Sequence, residues 1–269
     1  MWVSVRGQET YAYTGSRPVA AAQPNVVFVH GAANDHSVWA LQSRYFAHHG
    51  WNVFALDLPG HGRSGGDALG SVEALADWIA SLLDAANVDS AALVGHSLGA
   101  LAVLETAARA PTRVTKIALL GPAVPMVVSD ALLAAAKADD PLAFELINGW
   151  SFSAARQLGG NPMPGVWMTG NAMRLMERSR AGVLHADLSA CHAYGNGLAA
   201  AANLRCPSML LLGARDVMAP PQAAHSLADA LADKRVVRIK GCGHALMTEQ
   251  PDAVLDALRG FLGNRENAG

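Results

Sequence analysis

The chain has 269 residues, of which 51% are hydrophobic, and its formal net charge is −2 at pH 7. This length and apolar content suffice for one large buried core, and α/β folds of this size often form a single domain. The near-neutral charge provides no basic field, so we expect neither a nucleic acid nor an anionic membrane surface as a partner.

The predicted elements alternate between strands and helices after an opening hairpin. The hairpin pairs residues 3–5 with residues 10–13 around Gly7, and the strand NVVFVHG then ends at His30. The later elements are, in chain order, a helix at 37–49, a strand at 52–57, a helix at 71–86 capped by Ser71, a strand at 91–95, a helix at 98–109, strands at 114–121 and 208–213, a helix at 221–232, a strand at 236–240 and a helix at 251–262. This alternation predicts an α/β fold with a mainly parallel, doubly wound sheet and helices on both faces.

A long stretch interrupts the alternation, so residues 122–206 are predicted to be an insertion and residues 1–121 and 207–269 to be the core. Helices are predicted over three stretches of the insertion that each begin with a capping residue, namely 129–137, 140–150 (with Pro141 in the first helical position) and 171–180. We expect this helical insertion to lie above the strand ends as a lid over the site.

The insertion is rich in methionine and aromatic residues. We expect most of these side chains to pack the lid onto the core and a minority to face an apolar substrate pocket. The residues concerned are Met126, Phe144, Trp150, Phe152, Met163, Trp167, Met168, Met173 and Met176. Arg174 and Arg178 lie on one face of a predicted helix, where a solvated surface is the preferred interpretation and an anionic-substrate site the alternative.

The cysteines and the N-terminal sequence bear on the compartment. Cys191, Cys206 and Cys242 are widely spaced and form neither a CxxC pair nor a zinc-binding spacing, which suits a reducing compartment. The opening residues MWVSVRGQET lack the blocks of a signal peptide, and no apolar stretch approaches the roughly 18 residues that span a bilayer. We therefore expect a cytoplasmic protein without a metal site. The sequence does not indicate an oligomeric state.

The junction between the strand at 91–95 and the following helix reads Gly95-His96-Ser97-Leu98-Gly99 and fits the pattern Gly-x-Ser-x-Gly. A second match surrounds Ser64, but that serine follows a Pro/Gly-rich stretch typical of a loop. A tight strand-to-helix turn strains its central residue, and small residues on either side prevent a clash. Ser97 is therefore the predicted nucleophile, and the amide of Leu98, at the helix N-terminus, would point at the group under attack.

A serine hydroxyl needs a base, and the base needs a partner that fixes its tautomer. In a parallel sheet such groups gather beyond the carboxyl ends of strands. His244 lies five residues past Ile239 among glycines, and Asp216 lies just past the strand at 208–213. Asp57 also ends a strand, but the Pro-Gly that follows favours a role in tying down its loop. The chain order Ser97, Asp216, His244 is that of the Ser…Asp/Glu…His hydrolases.

Further segments extend the pattern along the chain: HGAANDHSVW at 30–39, DLPGHGRS at 57–64, GHSLG at 95–99, GARDVMAP at 213–220 and GCGHALMTEQP at 241–251. On these segments the chain resembles the α/β-hydrolase fold, serine-nucleophile branch, from about residue 25 to 262. The resemblance implies that Ala32 supplies a second oxyanion amide beside that of Leu98. It also assigns Ser64, His61 and Asp57 to the architecture, and His30 and His96 to supporting roles near the site.

The expected reaction is hydrolysis of a carboxylic ester of a small to medium apolar substrate through an acyl-enzyme intermediate, without a cofactor. A serine nucleophile argues against the related haloalkane dehalogenases and epoxide hydrolases, which use an aspartate. Carbon–carbon bond hydrolases of this fold often carry a tryptophan after the catalytic histidine, where this chain has Ala245. A carbon–carbon bond hydrolase and a non-catalytic small-molecule receptor remain the alternatives.

Overall fold

The sheet is antiparallel at one edge and parallel elsewhere. The computed structural model describes residues 1–160 and 165–263. Its strands are β1 (Trp2–Val5), β2 (Gln8–Tyr13), β3 (Asn25–Val29), β4 (Asn52–Leu56), β5 (Ala91–His96), β6 (Val114–Leu120), β7 (Ser208–Gly213) and β8 (Lys234–Ile239). The described residues form an eight-stranded sheet in the order β1-β2-β4-β3-β5-β6-β7-β8. Only the pairs β1–β2 and β2–β4 are antiparallel in this sheet of the described residues, which confirms the predicted mainly parallel fold.

From β3 to β8 each pair of successive strands is separated by at least one helix, and among the described residues two more helices follow β8. They are α1 (Ala40–His48), α2 (Val72–Ala85), α3 (Leu98–Arg109), α4 (Asp130–Lys137), α5 (Pro141–Ser151), α6 (Ala154–Gln157), α7 (Met168–Met176), α8 (Val183–Ala193), α9 (Gly197–Ala202), α10 (His225–Ala230), α11 (Leu246–Glu249) and α12 (Pro251–Leu262), with 3₁₀ helices at His36–Trp39 and Pro221–Ala224. The side chain of Ser71 caps α2 by accepting a hydrogen bond from the amide of Ala74. Asp140 caps α5 in the same way, ahead of Pro141. Both caps were predicted from the residue types.

Helices cover both faces of the sheet, and strand residues alternate between the two sides. Along β3, Val27 and Val29 belong to a hydrophobic cluster that includes residues of α2 and α3. Val26 and Phe28 belong to a second cluster, formed with α1 and α12. Because both faces are covered, every residue of β4, β5 and β7 is buried.

Helices α4 to α9 follow one another between β6 and β7. The helix predicted at 171–180 instead spans Met168–Met176, and the ring of Trp167, just before its first residue, lies against Gly170. Asn171 is therefore inside α7 rather than its cap. Helices α6, α8, α9 and α11 were not predicted. Within the described residues, no helix is long and apolar enough to cross a bilayer.

Candidate active site

Ser97 occupies the tight turn between β5 and α3. Its backbone has φ +54°, in the left-handed region that side-chain-bearing residues rarely adopt. A β-carbon at Gly95 would overlap the carbonyl of Gly99, and one at Gly99 would overlap the carbonyls of Val29 and His30. The two glycines thus permit the close approach of strand and helix that the turn requires.

His244 and Asp216 lie side by side beyond the ends of β8 and β7. The ring Nδ1 of His244 is 2.7 Å from Asp216 Oδ2, and both residues are buried. The other carboxylate oxygen, Oδ1, accepts hydrogen bonds from the amides of Met218 and Ala219, at 2.9 and 2.8 Å. Asp216 is therefore fixed by its own loop through Oδ1, while Oδ2 orients the imidazole of His244 so that Nε2 points away from the carboxylate.

Gly121, which follows β6, leaves the space that this pair occupies. A β-carbon at Gly121 would come within 3.0 Å of the His244 ring, and the residue has φ +58°. His96, the residue before Ser97, donates from Nε2 to the carbonyl oxygen of His244 at 2.9 Å. Burial, followed by the neighbouring His244, lowers the pKa of His96 to about 3, so the ring is neutral. The nucleophile turn and the histidine loop are thus bonded directly to each other.

Ser97 and His244 line the same cavity. Within residues 1–160 and 165–263, the Ser97 hydroxyl makes no hydrogen bond. A nucleophile and its base often form their hydrogen bond only when substrate is bound, so a Ser97 hydroxyl without a hydrogen bond among the described residues is compatible with a Ser–His pair. The structure therefore brings together the three residues that the sequence singled out.

Of the two candidate oxyanion donors, Ala32 lines this cavity, and Leu98 directly follows Ser97, which also lines it. Leu98 is the first residue of α3, whose initial amides have no partner inside the helix. Ala32 follows β3 and lines the cavity beside Ser97. In the part of the chain that the structure describes, neither amide donates a hydrogen bond within the protein. Both are therefore free to donate to a ligand.

Ser64 and Asp57 lie in a different environment from Ser97. The Ser64 hydroxyl is fully buried, donates to the carbonyl of Asp57 at 2.6 Å and accepts from the amide of Tyr11 at 2.9 Å. The Asp57 carboxylate accepts from the amide and ring of His36 and from the amide of Arg63. Ser64 and Asp57 therefore tie loops together.

Among the described residues, Asp35, His36 and Asp57 are grouped closely enough to bind a metal ion. The carboxylate oxygens of Asp35 and Asp57, however, already accept hydrogen bonds from backbone amides of their loops.

The cavity has a volume of about 970 Å³ and is lined by residues of α4, α5, α7 and α8 and by residues of loops that follow the strands. Met126, Trp150, Phe152, Met168 and Met176 line it. Because these are most of the described residues in the predicted methionine and aromatic set, the expectation that only a minority would face the pocket is wrong. Met163 lies outside the described residues.

Arg174 and Arg178 are exposed, and both lie at the cavity lining. Arg174 forms an ion pair with Glu177, which is three residues further along the chain. Exposed pairs of this kind contribute little to stability. Arg178 lies beyond the end of α7 at Met176, so the two arginines do not share a helix face as predicted, although both are exposed as the preferred solvated interpretation expects.

Two buried carboxylates at this site were missed by sequence reasoning. Asp187, on α8, accepts a hydrogen bond from the amide of Ala33 at 2.9 Å. Glu249, on α11, accepts from the amides of Gly243 and Ser153 and from the Ser153 hydroxyl. Each connects the helical insertion to a loop of the site. For Asp187 the signal in the sequence is a lone acidic residue among apolar ones in a helix.

Comparison with known proteins gives one family and a set of relatives. The model of the alpha/beta hydrolase family matches residues 26–257. The pimeloyl-[acyl-carrier protein] methyl ester esterase of Aromatoleum aromaticum is 32% identical over 256 residues, which cover 88% of this chain and 99% of that protein. The esterase of the same description from Chromobacterium violaceum is 32% identical over 233 residues, covering 82% of this chain and 87% of the relative.

Solved structures of the same fold cover nearly the whole chain. An enol-lactonase from Burkholderia xenovorans superposes with a TM-score of 0.87 at 22% identity, covering 97% of this chain and 99% of the other. A thermophilic esterase from Thermogutta terrifontis superposes with a TM-score of 0.83 at 19% identity, covering 97% of each chain. At these identities the likeness establishes the fold.

Proposed function

The chain belongs to the alpha/beta hydrolase family, and from this premise we propose that it is a serine hydrolase. In this proposal it cleaves a carboxylic ester of a small to medium apolar substrate through an acyl-enzyme intermediate. Two relatives that are 32% identical over most of the chain are esterases, which supports ester hydrolysis as the general reaction. The serine mechanism and the substrate are the proposed part.

One observation carries the proposal. Ser97 is held at φ +54° on the strand-to-helix turn, at the same cavity as His244, whose Nδ1 is 2.7 Å from Asp216. A strained, glycine-flanked serine costs stability, and such strain clusters at functional sites. The buried carboxylate beside the imidazole supplies the orientation that a general base needs.

The proposed reaction has two halves. Ser97 Oγ attacks the ester carbonyl while His244 Nε2 takes the hydroxyl proton, and Asp216 stabilises the resulting imidazolium. The amides of Leu98 and Ala32 donate to the oxyanion, and His244 returns the proton to the leaving alcohol. Water then attacks the carbonyl of the acyl-enzyme while His244 takes its proton. His244 returns that proton to Ser97 Oγ as the carboxylic acid leaves.

The cavity supports an apolar acyl or alcohol group. Its volume, about 970 Å³, lies at the upper end of the usual range for small-molecule sites. Aliphatic, methionine and aromatic side chains supply much of its lining, whereas Asn34 and Arg178 are among the polar residues. We therefore propose an uncharged ester with several methylene groups rather than a compact polar one.

A panel of p-nitrophenyl esters beside a fluorophosphonate label tests the proposal. The wild-type chain is expected to hydrolyse the esters and to be labelled, with both properties absent in Ser97→Ala and retained in Ser64→Ala as the matched control. Labelling without turnover of any ester would replace the esterase with a hydrolase of another bond. Ligand binding without labelling would replace it with a receptor.

A further inference from the structure

Ala33 is held by the helical insertion at both of its backbone polar groups. Its amide donates to Asp187 Oδ2 on α8 at 2.9 Å, and its carbonyl accepts from the Ser179 hydroxyl at 3.4 Å. Ala33 is buried and has φ +52°, a conformation that alanine adopts only when its surroundings impose it. The residue before it is Ala32, the proposed oxyanion donor.

Asp187 has a second partner on the core. His61 Nε2 lies 2.8 Å from the same carboxylate oxygen, and His61 Nδ1 lies 3.0 Å from the carbonyl oxygen of Pro59. Both nitrogens of the ring thus face acceptors, an arrangement that fits the doubly protonated imidazolium. His61 and Asp187 are 3% and 1% exposed, so the pair is a buried ion pair between the loop after β4 and α8.

We propose that Asp187, with His61 as its counter-ion, is a positioning residue for the oxyanion loop, residues 31–34, and that the helical insertion thereby helps to form the oxyanion site. The inference rests on the proposed serine hydrolase function. The amide that Asp187 binds belongs to the peptide group between Ala32 and Ala33. The hydrogen bond therefore fixes the plane of this peptide group, which directly follows the one that carries the Ala32 amide. Without it, the strained φ of Ala33 relaxes and the Ala32 amide turns away from the oxyanion.

The electrostatics of the pair agree with this role. Burial lowers the pKa of His61, but the Asp187 carboxylate and the hydrogen bonds to Asp187 and Pro59 raise it more, so the net shift is upward. His30 lies against His61, with ring centroids 4.9 Å apart. Burial, followed by His61, lowers the pKa of His30 to about 4, so His30 is neutral beside the charged ring. One histidine of the cluster therefore carries the charge that Asp187 neutralises.

The test compares Asp187→Leu and Asp187→Asn with Glu105→Gln. Leucine has a similar size but no acceptor, whereas the asparagine oxygen still accepts from the Ala33 amide. Glu105 is a matched control, because it is a buried carboxylate that ties α3 to Tyr194 and Asn196 next to α8, away from the oxyanion loop. The readouts are kcat, KM, inhibition by a trifluoromethyl ketone, whose adduct carries the oxyanion, and hydrogen exchange of peptides that contain residues 31–34.

Asp187→Leu is expected to lower kcat and trifluoromethyl ketone affinity by on the order of 10²-fold with little change in KM, as for loss of one oxyanion donor. Asp187→Asn is expected to retain most of both, and Glu105→Gln all of both. Hydrogen exchange of residues 31–34 is expected to accelerate in Asp187→Leu alone. A loss of thermal stability in Asp187→Leu with unchanged kcat and inhibitor affinity would overturn the proposal.

The exchange readout separates the two levels of inference. If the wild-type chain neither hydrolyses esters nor reacts with fluorophosphonate, the proposed function fails, and faster exchange in the Asp187 variant still supports the control of the loop by Asp187. Should Asp187→Leu fail to fold, Asp187→Ala takes its place, because it also removes the acceptor of the Ala33 amide. An exchange rate and kcat equal to those of wild type in Asp187→Ala would then contradict the proposal.

Discussion

The carboxylate of Glu249 accepts a hydrogen bond from the amide of Gly243, one residue before His244, at 2.7 Å. Its other oxygen accepts from the Ser153 hydroxyl at 2.6 Å, just beyond α5 of the insertion. Glu249 is fully buried, and a buried carboxylate is tolerated only when hydrogen bonds compensate its lost hydration. The histidine loop and the insertion are therefore fixed to each other through one side chain.

Substitution of Glu249 by glutamine should weaken both the fold and the site. The amide side chain places an N–H₂ group against donors and removes the charge, so the free energy of unfolding should fall by about 1 to 3 kcal/mol. The expected kcat is lower as well, because the Gly243 amide loses a charged acceptor. Urea unfolding and ester turnover measure the two effects. Glu145→Gln, at an exposed position on α5, is the control and should change neither.

The two Gly-x-Ser-x-Gly serines should respond to alanine in opposite ways. Ser97→Ala should lower ester turnover by on the order of 10⁶-fold with the fold intact. Ser64→Ala should leave turnover within a few fold but cost about 1 to 3 kcal/mol of stability, because the partly buried amide of Tyr11 loses its acceptor and the buried carbonyl of Asp57 loses its donor. Steady-state kinetics measures the turnover of both variants, and urea unfolding measures their stability. An essential Ser64 and a dispensable Ser97 would reverse the assignment.

Asp216→Asn should preserve the conformation of its loop but impair His244 as the general base. The asparagine oxygen can remain at the position of Oδ1, where it accepts from the amides of Met218 and Ala219. Its N–H₂ group then faces His244 Nδ1 and favours the wrong tautomer, so kcat should fall by about 10³ to 10⁴. The measurement is kcat at the pH optimum. Near-normal activity would mean that another acid acts, and Asp57 would be the first to examine.

The strand ends and the tight turn were predictable because their signals are local. The apolar run at 91–94, the glycines around Ser97 and the chain order of the triad candidates need no knowledge of distant contacts. Capping residues predicted the starts of α2 and α5 for the same reason. At α7 the signal misled, because the helix begins at Met168, before the asparagine that resembles a cap.

Asp187 and Glu249 escaped prediction because their partners lie far away in the chain. Asp187 falls on the apolar stripe of α8 with Val183, Leu184 and Leu188, and its partner Ala33 is separated from it by 154 positions. An acidic residue on such a stripe predicts a buried partner without identifying it. Which loop receives the carboxylate depends on how the insertion packs onto the core.

Acid should destabilise the protein through two buried histidines. Burial is the main cause that lowers the pKa of His30 to about 4 and that of His96 to about 3. As pH falls below the ordinary value of about 6.5, the unfolded chain gains these protons and the folded chain does not, so stability is lost. The raised pKa of His61 opposes this loss near pH 6.5, where the unfolded ring is only half protonated, and adds no slope well below that pH, where the ring is charged in both states.

The expected slope is measurable by urea unfolding between about pH 4.5 and 6.5. Each of the two histidines contributes up to about 1.4 kcal/mol per pH unit. His96→Gln should remove one such contribution. Equal slopes in wild type and His96→Gln would show that the ring is not held neutral.

Chain length of the acyl group should govern rate, because the cavity is large and its lining is rich in apolar side chains. Each methylene buried there contributes up to about 0.8 kcal/mol, or roughly four-fold in kcat/KM. Rates should rise from acetyl to butyryl or hexanoyl p-nitrophenyl esters until the cavity is filled.

Leu132 is buried and lines the cavity, so Leu132→Phe should move the optimum to esters with shorter acyl chains. Leu142→Phe, at an exposed position on α5, should leave it unchanged. A steady fall from acetate onward in the wild type would instead mean that the ester binds with its acyl group in a small, tight pocket.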